Sequence, residues 1–255
     1  IKKIVKKNNF KTLSIGSYNS DLVIIDHKFL NFDQHVKFSY KNNIYNFSTS
    51  LIGKIQIKNL LMSILAASKS NLNLKKILNS IKKVKPVPGR LEKISNLKNN
   101  STVILDYAHT PDALRVCLEN IKDQFSLKKI TIVFGCGGER DKPKRKIMGR
   151  IANKYCNKIY LTDDNPRKEN PKKIRDQIKI NINRKKLIEI SSRKIAINTA
   201  IKYIQSNEVV IVAGKGHESY QEYKSRKYFS DRDCILKSIK EKNKSLNNNW
   251  KVNII

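Results

Sequence analysis

The apolar positions of this chain change rhythm along its length, and each rhythm predicts a different kind of element. Asp21-Leu-Val-Ile-Ile25 and Val36-Lys-Phe-Ser-Tyr40 are apolar or alternating runs, so residues 12–25 and 36–50 read as short strands separated by turns. Lys41-Asn-Asn43 is a polar turn that joins 36–40 to 44–48 as a hairpin. Over 57–69 the spacing becomes helical, with Leu60, Leu61, Ile64 and Leu65 on one stripe. A second helix over 73–83 carries Leu74, Ile77, Leu78 and Ile81. Lys85-Pro-Val-Pro-Gly89 stops the pattern, because proline fixes φ and removes a donor. A domain boundary is placed there, dividing the chain into residues 1–89 and 90–255.

Beyond that break, short β-branched runs alternate with helix-length segments. The runs are Thr102–Leu105, Ile130–Phe134, Ile159–Leu161, Leu187–Ile190 and Val209–Val212. Helices are predicted from Thr110-Pro111, over 144–156, from Asn170-Pro171, after Ser191-Ser192 to about 205, and over 231–242. Thr110 and Asn170 are N-cap residues with proline at the first helical position. Asn247–Asn249 and the end are expected to fray. Val209–Val212 has no polar face, as a strand covered on both sides requires. Helices between such strands imply parallel crossover units and therefore an α/β fold, a Rossmann-like, doubly wound, mostly parallel sheet.

Composition changes this picture little. The formal charge of +32 points by itself to a nucleic-acid partner or an anionic surface. The lysines are spread along the chain, however, beside abundant Ile and Asn, and all three have AT-rich codons. A nucleic-acid site would cluster the charge and interleave aromatics, which are only 7% here. No nucleic-acid partner is expected, and the absence of an 18-residue apolar run predicts no membrane span. The four cysteines, Cys117, Cys136, Cys156 and Cys234, have no CxxC spacing, which argues against a zinc site and for a reducing cytoplasm.

Candidate chemistry gathers in four loops, each following a predicted strand. They are Asp106-Tyr-Ala-His-Thr-Pro111, Gly135-Cys-Gly-Gly-Glu-Arg-Asp141, Asp164-Asn-Pro-Arg167 and Gly214-Lys-Gly-His-Glu218. Ligands of open α/β sheets bind outside the carboxyl ends of the strands. Arg140 and Arg167 can each grip a carboxylate with two parallel donors. Asp164 and Glu218 supply negative charge for an ammonium group, and Gly214 lets backbone approach a ligand. Asp106 can accept from ribose hydroxyls, while His109 either orients a nucleotide or caps its loop. Taken singly, each loop is also an ordinary turn: Arg167 reads as a surface arginine and Lys215 as a solvated lysine.

In combination the motifs are specific. PGRLE (88–92), DYAHTPDAL (106–114), VFGCGGERDKPKR (133–145), TDDNPRKENP (162–171), AGKGHESYQ (213–221) and FSDRD (229–233) resemble the Mur ligase family over about residues 12–240. Within that family DNPR marks the ligases that add meso-diaminopimelate, and lysine-adding relatives depart from it at the Arg. Arg167 therefore implies meso-diaminopimelate. The resemblance implies that Arg140, Asp164, Asn165, Pro166, Arg167, Gly214 and Glu218 bind that amino acid. It likewise makes Asn59, Arg90, Asp106 and His109 contacts of ATP, and puts Lys142 and Lys215 near phosphate. Gln56 stands where such ligases usually have Asn, a departure that weakens nucleotide contact.

The family joins its substrates through an acyl phosphate, using ATP and Mg²⁺. No GxxxxGK[ST] phosphate loop occurs in these 255 residues, and Glu139 makes the Gly135–Gly138 loop a poor substitute. The resemblance thus makes 1–89 the tail of a central ATPase domain and 90–255 the C-terminal domain. Catalytic residues and magnesium ligands are expected upstream of Ile1, and no metal site is assigned here. The partners implied are meso-diaminopimelate, UDP-N-acetylmuramoyl-L-alanyl-D-glutamate and an N-terminal half, in the same or a separate chain. The alternative is a non-catalytic remnant or binding module that has lost the ATPase half.

Overall fold

The computed structural model describes residues 2–249 apart from Asn31 and Asn71. It divides into two compact units, Ile1–Lys85 and Pro86–Ile255. The division falls inside the proline-rich breaker.

In the first unit a short helix α1 (Lys2–Lys7) precedes four strands: β1 (Ile15–Gly16), β2 (Leu22–Leu30), β3 (Asp33–Tyr40) and β4 (Asn43–Thr49). They pair in chain order. Lys41 and Asn42 both have positive φ, the backbone of a tight two-residue hairpin turn that matches the twist of its strands. The alternating Val36, Phe38 and Tyr40 turn one face of the sheet onto α2 (Lys54–Ser68), where Leu60, Leu61, Ile64 and Leu65 meet them. Ile81, after α3 (Leu74–Ser80), closes this core. β2 runs five residues past Ile25, where the apolar run ends, through the polar Asp26-His27-Lys28 and across an irregularity at Ile24/Asp26.

The second unit is built on a six-stranded sheet. Its strands are β5 (Glu92–Asn96), β6 (Thr102–Asp106), β7 (Lys129–Phe134), β8 (Lys158–Leu161), β9 (Leu187–Glu189) and β10 (Glu208–Ala213). Their order is β5-β6-β10-β7-β8-β9, and only β5 is antiparallel. α4 (Pro111–Gln124), α5 (Pro143–Tyr155) and α6 (Pro171–Lys179) each carry the chain outward along the sheet, to β7, β8 and β9. α7 (Arg193–Lys202) brings it back to β10. Crossovers of one hand traversed in opposite directions cover opposite faces, and that is double winding. On the α7 face, Val103, Leu105, Val133, Val210 and Val212 pack with Ala196, Ile197, Ala200 and Ile201 and with Ile235 and Ile239 of α8 (Asp231–Asn249). Between β10 and α8 lies a hairpin of β11 (Tyr220–Glu222) and β12 (Arg226–Tyr228). α8 continues through Asn247–Asn249, where fraying was expected; the end after Asn249 lies outside the described residues.

The helix starts follow local chemistry. Thr110 accepts from Ala113 N–H, Asn170 from Lys173 N–H and Ser192 from Ile195 N–H. Each satisfies one donor that a helix N-terminus leaves unpaired. Because β6, β7, β8 and β10 run parallel, their carboxyl ends emerge at one edge of the sheet, and so do the loops that follow them.

Candidate functional site

The loops after β7 and β8 are pressed together, backbone against backbone. A Cβ on Gly135 would stand 2.2 Å from the Thr162 carbonyl oxygen, and one on Gly138 1.9 Å from that of Pro166. Only glycine fits either place. Gly138 N–H donates to the Asn165 carbonyl at 2.9 Å. Behind the pair lies Arg145, a fully buried side chain of α5. Its guanidinium donates to both Glu169 oxygens, to the Gly137 carbonyl and to Gln177. These bonds hold the Glu169 carboxyl far below the usual range, at about 2. Cys136 fills the space beneath, its Sγ 3.6 Å from Met148 Sδ, and burial pushes its thiol up to about 12.

Arg167 is a braced side chain rather than the surface arginine its loop suggests. It has φ +54°; its Nη1 donates to the Gly138 carbonyl at 2.7 Å, and its Nε lies 3.4 Å from Glu222 Oε2. Part of its fork is therefore committed to the protein. β11 supplies the brace, since Arg167 N–H donates to the Glu222 carbonyl and Glu222 N–H donates to Asn165 Oδ1. Gln221 donates to the Asp164 carbonyl, and Tyr223 O–H to Asp163, which also pairs with Arg175. Burial and the Asp163 charge push the Tyr223 hydroxyl up to about 12. Arg140 stands on the exposed rim of the same loop pair.

The loop after β10 brings a buried cation. Lys215, expected in solvent or near phosphate, is 0% exposed; its Nζ donates to Asn165 Oδ1 at 2.9 Å and to Glu218 Oε2 at 3.1 Å. Asn165 Nδ2 donates to the same Glu218 oxygen, and Tyr107 O–H reaches the other at 3.5 Å. Gly214 has φ +113°, and a Cβ there would lie 2.9 Å from Asp164 Oδ2. A second buried cation, Arg193 at the start of α7, chelates Asp231 at 2.7 Å through Nε and Nη2, and its Nη1 lies 3.9 Å from Asp164 Oδ2. Among the described residues no N–H or O–H donates to the Asp164 carboxylate. Two buried cations, Lys215 and Arg193, thus stand against three carboxylates, Asp164, Glu218 and Asp231.

The structure therefore gathers Asp164, Asn165, Pro166, Arg167, Gly214 and Glu218 in one constellation, with Arg140 at its edge. Asp106, Arg90 and His109 lie beside it around Tyr107. Arg90 stacks on the Tyr107 ring at 4.4 Å, and His109 and His217 meet that ring at 4.7 and 5.4 Å. Asp106 is buried and accepts from Leu91 and Ala108 N–H, so both of its oxygens already serve the fold. Burial raises its carboxyl in spite of those bonds. Gly89 and Gly216, both at positive φ, let the 89–91 turn lie directly on the 216–217 backbone. Asn59 sits exposed on α2 of the first unit.

A family model described as Mur ligase, glutamate ligase domain, matches residues 89–216. The UDP-N-acetylmuramoyl-L-alanyl-D-glutamate--2,6-diaminopimelate ligase of Rickettsia rickettsii is 38% identical over 242 residues, 94% of this chain and 50% of the relative. The ligase of the same name from Prochlorococcus marinus is 40% identical over 203 residues, 76% of this chain and 39% of the relative. The chain belongs to the Mur ligase family. It spans about half the length of the curated relatives it matches. A solved structure of a UDP-N-acetylmuramoyl-L-alanyl-D-glutamate--2,6-diaminopimelate ligase superposes with a TM-score of 0.69 at 31% identity, covering 91% of this chain and 48% of that one. The MurF ligase of Thermotoga maritima in complex with ADP shares the fold, with a TM-score of 0.67 at 15% identity, over 95% of this chain and 52% of that one.

Within this Mur ligase chain the residues fit the margin of a nucleotide site and not its phosphate cradle. Arg90 on Tyr107 offers a cation and a ring face, whereas the Gly135–Gly138 backbone is packed on 162–166. Among the described residues no three His, Cys, Asp or Glu side chains cluster as metal ligands, and no helix is long and apolar enough to cross a membrane. Arg145 and Arg193 escaped the sequence reading. A basic residue at a helix start reads as solvated, and the acid that pairs with Arg193 lies 38 positions away.

Proposed function

We propose that this chain provides the amino-acid-binding part of an ATP-dependent ligase. That ligase joins meso-diaminopimelate to UDP-N-acetylmuramoyl-L-alanyl-D-glutamate in the cytoplasm, in peptidoglycan precursor synthesis. The observation that carries the reading is the charge of the buried cluster. Lys215 and Arg193 leave one of the three carboxylates uncompensated, and Asp164 is the one that receives no hydrogen-bond donor. A ligand ammonium supplies the missing cation and donors together. Arg140 and Arg167 stand beside it for a carboxylate, and a far end bearing both groups is what diaminopimelate has and lysine lacks.

ATP, when bound, supplies the phosphoryl group that converts the D-glutamyl carboxylate to an acyl phosphate, which the amine then attacks with release of phosphate. The residues of this chain hold the amine donor in place for that attack; positioning of this kind is a large share of what such a site contributes. The test is calorimetric titration with meso-diaminopimelate, with L-lysine as control. Selective binding of diaminopimelate supports the reading. Equal binding of both, or of neither with the partner ATPase half added back, overturns it.

A further inference from the structure

Arg193 is almost fully buried beside the site, at 1% exposure. Three of its contacts are structural: Nε and Nη2 chelate Asp231, and Nη2 also donates to the Ala213 carbonyl at the end of β10. Its remaining nitrogen, Nη1, is buried and has no hydrogen-bond partner among the described residues. A buried donor left unmade is costly, so such an atom calls for an explanation. Asp164 Oδ2 lies 3.9 Å from it, on a carboxylate that also lacks a donor among the described residues. The geometry is a guanidinium clamped on one edge by Asp231 and aimed by the other at Asp164.

We propose that Arg193 is a positioning residue for Asp164: it fixes, from behind, the carboxylate that meets the ligand ammonium. The inference deepens the proposed function, and its ligand arm rests on that reading. The clamp on Asp231 prevents the guanidinium from following Asp164 outward, so the carboxylate has one preferred place. A ligand ammonium then meets an anion already oriented, and less ordering is left to occur on binding. Lysine at 193 keeps the charge but has no second edge, so it serves Asp231 or Asp164 and not both.

The test has two arms on the same chain. The first needs no ligand: urea unfolding of wild type, Arg193→Lys, Asp164→Asn and the double variant. Coupled residues give a double variant less destabilised than the two single effects combined, by at least about a threefold factor in the unfolding constant. Additive effects overturn the proposal. The second arm measures affinity for meso-diaminopimelate and for L-2-aminopimelate, which lacks the far amine. Arg193→Lys is expected to lose about tenfold of the preference for diaminopimelate and, in the Asp164→Asn background, to lose none. A merely structural role would lower both affinities alike, and that result overturns it. Wild type that binds neither ligand with the partner ATPase half added back refutes the proposed function, while the unfolding cycle still decides the contact. Arg193→Gln repeats both arms where it folds; Arg193→Lys decides where it does not.

Discussion

Arg167 is bound to Glu222 at two points: its N–H donates to the Glu222 carbonyl at 3.0 Å, and its Nε lies 3.4 Å from Glu222 Oε2. With Nη1 held by the Gly138 carbonyl, the side chain is pre-aimed. Arg167→Ala should therefore lower diaminopimelate affinity about a hundredfold, the magnitude of charge-assisted bonds. It should also cost about 1–2 kcal/mol of stability, because Gly138 and Glu222 lose their partner. Arg167→Lys should bind nearly as poorly. Titration and urea unfolding check both figures, and wild-type affinity in either variant would remove Arg167 from the site.

Lys215 should matter more to folding than Arg167 does. Lys215→Met leaves Glu218 without its buried cation, a loss of about 3–5 kcal/mol by the behaviour of broken buried pairs. Adding Glu218→Gln should restore part of it. A Lys215→Met variant as stable as wild type would mean that the side chain reaches solvent.

Neighbouring glycines should separate folding from binding. Gly138→Ala drives a Cβ to 1.9 Å from a backbone oxygen and should cost at least about 3 kcal/mol. A Cβ on Gly137 instead meets Arg167 Nη1 at 3.1 Å, so Gly137→Ala should spare most of the stability and weaken ligand affinity. The reverse ranking would contradict the packing described.

Glu169 should dominate one part of the acid limb. Its folded carboxyl is depressed, at about 2, so its contribution is complete above its ordinary range near 4.5 and is lost as pH falls from there toward 2. Glu169→Gln should be less stable than wild type at neutral pH and should flatten the stability curve between about pH 4.5 and 2. Unfolding midpoints across that window make the comparison, and parallel curves would count against the Arg145 pairing.

The thiols should be silent in the native state. Cys117, Cys136 and Cys156 are buried with thiols pushed well up, while Cys234 is partly exposed with its thiol raised to about 11. A disulfide reagent at neutral pH should label Cys234 slowly and the other three only with unfolding. Rapid labelling of Cys136 would show that the loop after β7 opens.

Much of this was legible in the sequence, for a physical reason. Val209–Val212 is apolar at every position because helices cover both sheet faces, and Thr110-Pro111 and Asn170-Pro171 announce helix starts through their own side chains. The elements that escaped are those whose partners are distant. β5 is Glu92-Lys-Ile-Ser-Asn96, polar by composition, and is a strand because β6 offers it an edge. β11 is a strand only through β12, so nothing local foretold that Glu222 would brace Arg167. The convergence of the four loops could be read from their places after strands. The buried states of Lys215 and Arg193 could not, since charge reads as solvent-facing until a partner is known.

The contact of Gly135 and Gly138 with the 162–166 backbone also bears on how such a site can diverge. Two loops in register through their main chains tolerate neither an insertion nor a deletion in one without a matching change in the other. Residues whose tips lie outside that seam, Arg140 above all, can be exchanged at little cost to the frame. A lineage that changes its ligand would therefore be expected to do so by swapping side chains on loops of unaltered length.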